Sequence, residues 1–260
     1  MRSTGSISII PGSDPVLEPD LIRIPESCFV MGSDKGQDCE RPIHQVRVDS
    51  FVLAATQVTN EEYGQFLRAT SNPRPPFWAD PNFNHPRQPV TGVSWHEATS
   101  YCEWLIAQTG RHFRLPTEAE WECAARGGLV QKRFAWGDEL TPSGKHMCNI
   151  WQGKFPMHDT GEDGYIGTAP AKSFLANGYG LYNVAGNIWE WCHDWFSPTY
   201  HATAPRTDPV GPSGGGSKVV RGGSYLCHHS YCNRYRVGAR TANTPDSSTG
   251  NTGFRCVRDV

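Results

Sequence analysis

Glycine and proline interrupt this chain so often that long helices and long strands are excluded from most of it. The 260 residues include 27 glycines and 20 prolines, and both residue types tend to end regular structure. Three stretches depart from this pattern, because a Ser or Thr there stands three residues before a Glu, as in a helix capping box. They predict short helices that begin after Thr59, Ser94 and Thr117. The chain is therefore predicted to form a loop-rich fold of short elements.

Two N-terminal segments have the composition of strands. Residues 21–31 and 45–53 are each rich in apolar and β-branched residues and are each predicted to form one strand. Gly110 and Gly127 are predicted to end the second and third helices. From about residue 130 onward the sequence mixes Gly, Asp, Asn and aromatic residues, which predicts mostly loops.

Charge and hydropathy exclude several classes of function. The formal net charge of −2 gives no support for nucleic-acid binding. No apolar run approaches the roughly 20 residues that a membrane span requires. The first residues lack the apolar centre of a secretory signal, so a cytoplasmic location in a prokaryote-like setting is expected. The number of cysteines, nine, is odd, so they cannot all pair within the chain.

Cys227 and Cys232 lie in a segment that also carries five arginines: Arg221, Arg234, Arg236, Arg240 and Arg255. Because nearby cations favour the thiolate, the pKa of both thiols is predicted to be lowered. Residues five apart face opposite sides of a strand and lie about 140° apart on a helix. The two sulfurs can therefore meet only where the backbone bends, and the adjacent Gly222 and Gly223 favour such irregular backbone.

The spacing alone leaves three interpretations of this cysteine pair open. A structural disulfide, or two unrelated buried thiols, is the most ordinary meaning of such a pair. A zinc site would need three or four protein ligands, and only His228 and His229 stand nearby in the sequence. Two thiolates without further ligands would suit Cu(I), a soft ion that cysteine selects.

The run RGGSYLCHHSYCNRYRVGAR, with NTPDSS and GFRC after it, closely resembles the C-terminal signature of the formylglycine-generating enzymes, also called sulfatase-modifying factors. Two other stretches, RLPTEAEWECAARGG and LYNVAGNIWEWCHDWF, are similar to hallmarks of the same superfamily. The resemblance extends from Arg23 to Arg258. It implies one α+β domain over residues 21–260, related to the C-type lectin-like fold, and leaves residues 1–20 as a disordered arm.

The resemblance also implies an activity. A cysteine in an unfolded sulfatase polypeptide, within a Cys-x-Pro-x-Arg motif, would be oxidised by O2 to Cα-formylglycine. Cys227 and Cys232 would hold Cu(I), and the substrate cysteine would add a third sulfur. Loss of a substrate Cβ hydrogen would then lead to a thioaldehyde that hydrolyses. The protein is expected to act as a monomer.

Four further residues match family positions around this site. Ser224 matches the serine beside the oxygen pocket, and Trp189 matches the aromatic wall that shelters it. His228 and Tyr231 stand between the thiols and are expected to shape the substrate groove. Each also has an ordinary structural interpretation, as a turn hydroxyl or as a packing residue.

Oxygen-rich loops raise the question of calcium. Asn, Asp and Gly at such positions are typical of turns that bond their own backbone, and this is the simpler interpretation from spacing alone. The resemblance instead implies two structural Ca²⁺ sites, since calcium takes six to eight oxygen ligands. The first would use Asn149 and Asp163 by side chain and Ile150 and Tyr165 by carbonyl. The second would use Asn183 and Glu190 by side chain and Gly186 and Ile188 by carbonyl.

Two other functions remain possible at this stage. One is a non-catalytic, calcium-binding lectin-like module, because fold alone does not fix function. The other is an iron-dependent sulfoxide synthase. Such an enzyme needs a multi-histidine iron site, and this sequence contains no His-x3-His-x-Glu cluster. The resemblance also implies that Cys102 and Cys256 pair under oxidising conditions, whereas Ala125 and Val237 replace a second family pair.

Overall fold

The structure is a computed structural model that describes residues 15–260, so residues 1–14 of the expected N-terminal arm lie outside the described residues. The remainder of that arm contacts the domain: Leu17 N–H donates to Gln65 Oε1 at 2.7 Å, and Ala55 N–H donates to the Asp20 carbonyl at 2.7 Å. None of the helices within residues 15–260 is long and apolar enough to cross a membrane. The helices and strands, in chain order, are β1 Leu21–Ile24, β2 Ser27–Met31, β3 His44–Val48, β4 Phe51–Ala54, α1 Asn60–Ala69, α2 Trp95–Thr109, β5 Phe113–Arg114, α3 Glu118–Arg126, β6 Gly153–Lys154, β7 His158–Asp159, β8 Trp189–Trp195, α4 Tyr200–Thr203, β9 Lys218–Arg221, β10 Arg240–Asn243, β11 Thr252–Gly253 and β12 Val257–Arg258.

The three predicted helices are confirmed, together with their caps. Thr59, Ser94 and Thr117 each accept the backbone N–H of the Glu three residues later, and that Glu accepts the cap's own N–H in return. The helix α2 ends at Gly110 and α3 at Gly127, and both glycines adopt the left-handed conformation, with φ of 68° and 57°. Local sequence thus sets the bounds of these helices.

The two predicted N-terminal strands are wrong in one respect, because each is divided between two sheets. Strand β1 pairs with β4, whereas β2 pairs with β3. Pro25 lies between β1 and β2 and has no N–H to donate to a continuous ladder. Asp49 lies between β3 and β4 and donates its N–H to Asp208 Oδ1 at 2.8 Å instead of to a strand.

Two four-stranded sheets organise the domain. The first has the order β1-β4-β12-β5, and it places the last strand of the chain between two early ones. The second has the order β10-β9-β8-β11 and is built from a region that was expected to be mostly loop. Strands β9 and β10 are antiparallel neighbours, so the segment from Gly222 to Ala239 leaves this sheet and returns to it.

Buried ion pairs fix both ends of that segment. Arg221, at the end of β9, and Arg240, at the start of β10, both contact the Glu118 carboxylate, at 3.0 and 2.5 Å. Arg221 also contacts Glu122 of α3 at 2.5 Å. All four side chains are almost completely buried. The loop between β9 and β10, named the reactive loop below, is therefore attached to the N-terminal part of α3.

Candidate functional site

The reactive loop brings its two thiols together. The sulfurs of Cys227 and Cys232 lie 2.7 Å apart, and the two residues are 2% and 6% exposed. The backbone N–H groups of Tyr231 and Cys232 both donate to the His228 carbonyl, at 3.0 and 2.7 Å. This tight turn supplies the bend that the spacing of the cysteines requires.

A glycine at the start of the loop makes this turn possible. Gly223 has a φ of +76°, and a Cβ atom there would lie 2.9 Å from the Tyr235 nitrogen. The first and last parts of the loop therefore approach each other more closely than a side chain would allow. The far side of the loop is held by Arg236, which donates to both oxygens of Glu40, at 2.8 and 2.7 Å.

Most of the arginines around the thiols are paired with carboxylates instead of facing the sulfurs. Arg221 and Arg240 contact Glu118, Arg236 contacts Glu40, and Arg255 contacts Glu190. Arg234 differs, since its Nη1 lies 3.8 Å from the Cys232 sulfur and its Nη2 contacts Gln37 Oε1 at 3.3 Å.

The expectation that both thiols have a lowered pKa is wrong for Cys227. The hydrogen bond from Cys227 lowers the pKa of Cys232, and the Arg234 guanidinium adds to this effect. The same hydrogen bond, together with burial, raises the pKa of Cys227 above its usual range. The pair therefore gives up one proton readily and holds the second.

The thiols lie in an open groove of about 820 Å³. Its floor is one face of the second sheet. Across the sheet, Val220 pairs with Thr241 on one side and with Trp191 on the other. Trp189 lies two residues before Trp191 on the same strand, and it pairs with Thr252. The side chains of Thr241, Val220, Trp189 and Thr252 consequently point to the same side, and all four line the groove.

The walls of the groove differ in character. One wall is aromatic: the Phe155 ring stacks on Tyr231 with centroids 4.9 Å apart and packs edge-on against Trp151 at 5.3 Å. Phe155 occupies the turn between β6 and β7, so this hairpin forms the wall. The other wall is polar and includes Asn243, Thr249 and Asn251. Sequence reasoning did not find Trp151, Phe155 or Asn251, although aromatic residues beside a turn in WQGKFP were a usable signal.

The four family-matched residues fall in two places. Ser224, Trp189 and Tyr231 line the groove. The Ser224 hydroxyl oxygen accepts hydrogen bonds from Asn251 Nδ2 at 3.0 Å and from Leu226 N–H at 3.3 Å, so its own hydrogen remains to donate. Tyr231 is 74% exposed at the mouth. His228 instead lines a separate cavity on the other side of Trp151.

Two of the four residues of the first expected calcium site direct an oxygen at a common point. The Ile150 carbonyl and Asp163 Oδ2 both accept from the same amide nitrogen, Gln152 Nε2. Two oxygens thus converge on one position that a cation could take. Burial raises the pKa of Asp163, which a bound cation would reverse. Asn149 is buried and donates to the Gly167 carbonyl and to Asn187 Oδ1.

The second expected set is divided. Asn183 Oδ1 is buried without a hydrogen-bond partner, as an amide oxygen reserved for a cation would be. The Glu190 carboxylate, by contrast, already accepts from Gln57 Nε2, Trp121 Nε1 and the Arg255 guanidinium. Asn183 therefore fits a calcium ligand, whereas Glu190 has no free oxygen to offer in this arrangement.

The fold defines a structural class that includes other solved proteins. PvdO from Pseudomonas aeruginosa superimposes with a TM-score of 0.79 over 93% of this chain and 95% of that one, at 26% identity. Treponema denticola variable protein 1 superimposes with a TM-score of 0.75 at 24% identity, over 92% and 95% of the two chains. The α+β, loop-rich architecture expected from the sequence is therefore confirmed.

Within that class the family is specific. The model of the sulfatase-modifying factor enzyme 1-like domain matches residues 10–260, and the chain belongs to this family. The formylglycine-generating enzyme of Streptomyces coelicolor is 46% identical over 96% of this chain and 92% of its own length. The enzyme of the same name from Mus musculus is 40% identical, over 99% of this chain and 80% of its own. A second mouse relative, named inactive C-alpha-formylglycine-generating enzyme 2, is 34% identical over 92% and 86%.

Proposed function

We propose that this protein oxidises a cysteine in an unfolded sulfatase segment of Cys-x-Pro-x-Arg type to Cα-formylglycine, using O2 and a Cu(I) ion held by Cys227 and Cys232. One observation carries the proposal: two buried thiols lie 2.7 Å apart in an open groove of about 820 Å³. Relatives with 40–47% identity that bear the name formylglycine-generating enzyme support it. Because one relative is named inactive, membership of the family would not by itself establish the activity.

The donor set suits Cu(I). Two sulfurs without a third protein ligand match a soft ion of low coordination number, and they leave room for a sulfur of the substrate. When bound, Cu(I) supplies the one-electron chemistry that O2 needs in order to react with a thiol. The protein contributes position and electrostatics, and these can be assigned to its own residues.

Each wall of the groove has a role in seating the substrate. The stacked Phe155 and Tyr231 rings bind the apolar parts of an extended peptide, while Asn243 and Asn251 offer hydrogen bonds to its backbone. Trp189 covers the floor and excludes water from the thiols. Ser224 donates its hydroxyl hydrogen to a polar group beside them. Arg234 holds the Cys232 sulfur in place and favours its ionised form.

The electron count of the reaction defines a co-substrate. Conversion of the substrate Cβ from thiol to aldehyde, with release of sulfide on hydrolysis, removes two electrons. Reduction of O2 to two molecules of water consumes four. An external thiol reductant therefore supplies the other two electrons, and the assay must contain one.

The alternatives have less support. A non-catalytic lectin-like module has no use for two thiols in contact inside a groove. An iron-dependent sulfoxide synthase requires a multi-histidine site, and within residues 15–260 no group of three or more His, Cys, Asp or Glu side chains is placed to hold a metal ion.

We also propose that Ca²⁺ binds the first oxygen-rich set, around Asp163 and the Ile150 carbonyl. These residues lie close to Trp151, which joins the aromatic wall of the groove. Calcium there would fix the position of that wall and add its binding free energy to that of folding.

The test is mass spectrometry of a Cys-x-Pro-x-Arg peptide incubated with protein, copper, a thiol reductant and air. The aldehyde appears as the loss of sulfur and the gain of oxygen. Anaerobic and copper-chelated samples, and a peptide with serine in place of cysteine, should remain unchanged. If the complete mixture also leaves the peptide unchanged, the proposed activity is wrong.

A further inference from the structure

A second cavity, of about 240 Å³, lies behind the thiol pair and carries many side chains of the types that bind copper. Five of them are His146, Met147, Cys148, His228 and His229. They come from two distant segments, one before the first oxygen-rich loop and one inside the reactive loop. The cavity lined by these five residues is named the histidine pocket.

The histidine pocket and the groove share a wall. Trp151 lines both cavities, and its backbone N–H donates to the Cys227 carbonyl at 3.1 Å. Cys227 lines the groove, whereas the next residue, His228, lines the histidine pocket. Only one peptide unit thus separates a side chain of the pocket from a thiol of the pair. Cys148 also packs in the same apolar cluster as both thiols.

The donors of the pocket extend from the surface inward. His229 is exposed, His146 and Met147 are half-buried, and Cys148 and His228 are buried. The thiol pair lines the open groove, which the peptide substrate would cover. A route that does not cross the groove would remain available to an ion while the peptide is bound.

We propose that the histidine pocket captures Cu(I) and delivers it to Cys227 and Cys232. Imidazole and thioether groups bind copper, but as neutral donors they hold Cu(I) less tightly than a pair of thiolates. The affinity therefore increases along the path from His229 toward Cys227. This inference rests on the proposed copper-dependent function.

Capture at the pocket uses few ligands at a time. Within residues 15–260 no three His, Cys, Asp or Glu side chains converge on a metal position. The His228 and His229 rings, with centroids 4.0 Å apart, supply two imidazoles, and Cu(I) accepts such low coordination. The transfer changes no oxidation state. Neutral nitrogen and thioether lone pairs are exchanged for two thiolate sulfurs, and each proton that the pair still holds passes to solvent.

The experiment measures how fast copper reaches the apo-protein. Cu(I) bound to a chromogenic chelator is mixed with protein in a stopped-flow instrument, and the loss of colour is followed. We expect His146→Gln/Met147→Leu/His229→Gln to slow loading by about tenfold or more, as when metal-contacting groups are removed. Its final copper content and equilibrium affinity should equal those of the wild type, because the thiol pair is intact.

A control variant removes one imidazole and one thioether at exposed positions elsewhere. His96 is exposed on α2 and Met157 is 76% exposed, and neither lines the histidine pocket. His96→Gln/Met157→Leu should load at the rate of the wild type. A slowing equal to that of the triple variant would mean that any surface histidine or methionine assists, and it would overturn the inference.

A second measurement tests the pocket without the thiol pair. Cys227→Ser/Cys232→Ser should retain one weakly held Cu(I), and the three pocket substitutions should then remove it. If the triple variant loads as fast as the wild type, or the doubly substituted protein binds no Cu(I), the pocket inference fails. If the wild type itself binds no Cu(I), the proposed function fails as well, so the two failures are distinguishable.

Discussion

The two cysteines of the pair are not equivalent. Cys232 lies within 3.8 Å of the Arg234 guanidinium, whereas Cys227 is almost completely buried and donates its N–H to the Ser224 carbonyl. The hydrogen bond between the two thiols is the main cause of the lowered pKa of Cys232 and of the raised pKa of Cys227; the Arg234 guanidinium adds to the first shift and burial to the second. Cys232 is therefore the more acidic thiol of the pair.

Both cysteines should nevertheless be required for the proposed copper site. A serine hydroxyl is a hard, protonated donor, so Cys227→Ser and Cys232→Ser should each abolish tight Cu(I) binding and reduce turnover to background. Ser224→Ala should keep the copper and lose much of the rate, because it removes a donor beside the thiols and leaves both sulfurs. Cu(I) competition titrations and peptide mass spectrometry measure the two effects. Wild-type aldehyde formation by Cys232→Ser would contradict the two-thiolate site.

The carboxylates of the two oxygen-rich sets should respond differently to a calcium chelator. Asp163→Asn should lower the melting temperature in calcium and make it insensitive to chelator, since it removes a cation ligand. Glu190→Gln should destabilise by about 3–5 kcal/mol with or without chelator, because it leaves the buried Arg255 without its counter-charge. Thermal melts of both variants, with calcium and with chelator, make the comparison. Equal wild-type melting temperatures in the two buffers would exclude the calcium site.

The position of a residue beside the thiols was predictable where that residue lies inside a recognisable motif. Ser224, Trp189 and Tyr231 all line the groove, as their positions in the motifs indicate. Trp151 and Phe155 were not predicted, because the β6–β7 hairpin and the residues before it reach the groove only through tertiary packing. The pKa expectation failed for Cys227 because its contact with the Cys232 thiol and its burial both depend on the tertiary fold. A count of arginines in one segment does not include their partners, which are glutamates at distant positions such as 40, 118 and 190.

The helices and strands show the same division between local and remote information. A capping box lies within four residues, so the sequence predicts α1, α2 and α3 with their first residues. A strand needs a partner, and the partner of β12 is β4, about two hundred residues earlier. For this reason the strands β8, β9 and β10 were not predicted in a region rich in loop-forming residues.

One pair of elements can be joined covalently. Cys102 of α2 and Cys256, just before β12, have their sulfurs 3.6 Å apart. Mild oxidation should form a disulfide that closes a long loop and stabilises the fold by about 3 kcal/mol. The melting temperature should rise on oxidation in the wild type and not in Cys102→Ala. Thiol labelling under denaturing, non-reducing conditions, followed by peptide mapping, identifies which cysteines are bonded, and labelled Cys102 and Cys256 after oxidation would contradict the prediction.

At the scale of the whole molecule, a buried network of charges connects α3, both flanks of the reactive loop and the segment that carries Glu40. Glu118 contacts both Arg221 and Arg240, Glu122 contacts Arg221, and Glu40 contacts Arg236. Removing one partner of such a pair is costly, because it leaves an uncompensated buried charge. The network thus ties the geometry of the site to the stability of the entire domain.

His201 of α4 lies within this network and should make the domain sensitive to acid. It is 1% exposed, and burial lowers the pKa of His201 to about 4. Arg240 and the adjacent His44 ring act in the same direction, whereas Glu118 and Glu122 oppose them. Between pH 6.5 and 4 the unfolded chain binds a proton that the folded chain does not, so the free energy of unfolding should fall as the pH falls, by up to about 3 kcal/mol. Buried Asp194, whose pKa is raised by burial, contributes a slope of opposite sign in part of this window.

The His201 contribution is therefore measured as the difference between the wild type and His201→Phe in urea melts at several pH values. The phenylalanine ring keeps the packing against His44 and cannot bind a proton, whereas Asp194 is present in both proteins and cancels. Above pH 7 the difference should be constant. It should then shift in favour of His201→Phe as the pH decreases toward 4. Below pH 4, His201 lowers the free energy of unfolding of the wild type no further. The arginines around Glu122 lower the pKa of its carboxyl group to about 2, and the loss of these ion pairs at still lower pH affects both proteins alike. A difference that stays constant from pH 7 to pH 4 would show that His201 is not held neutral by the fold.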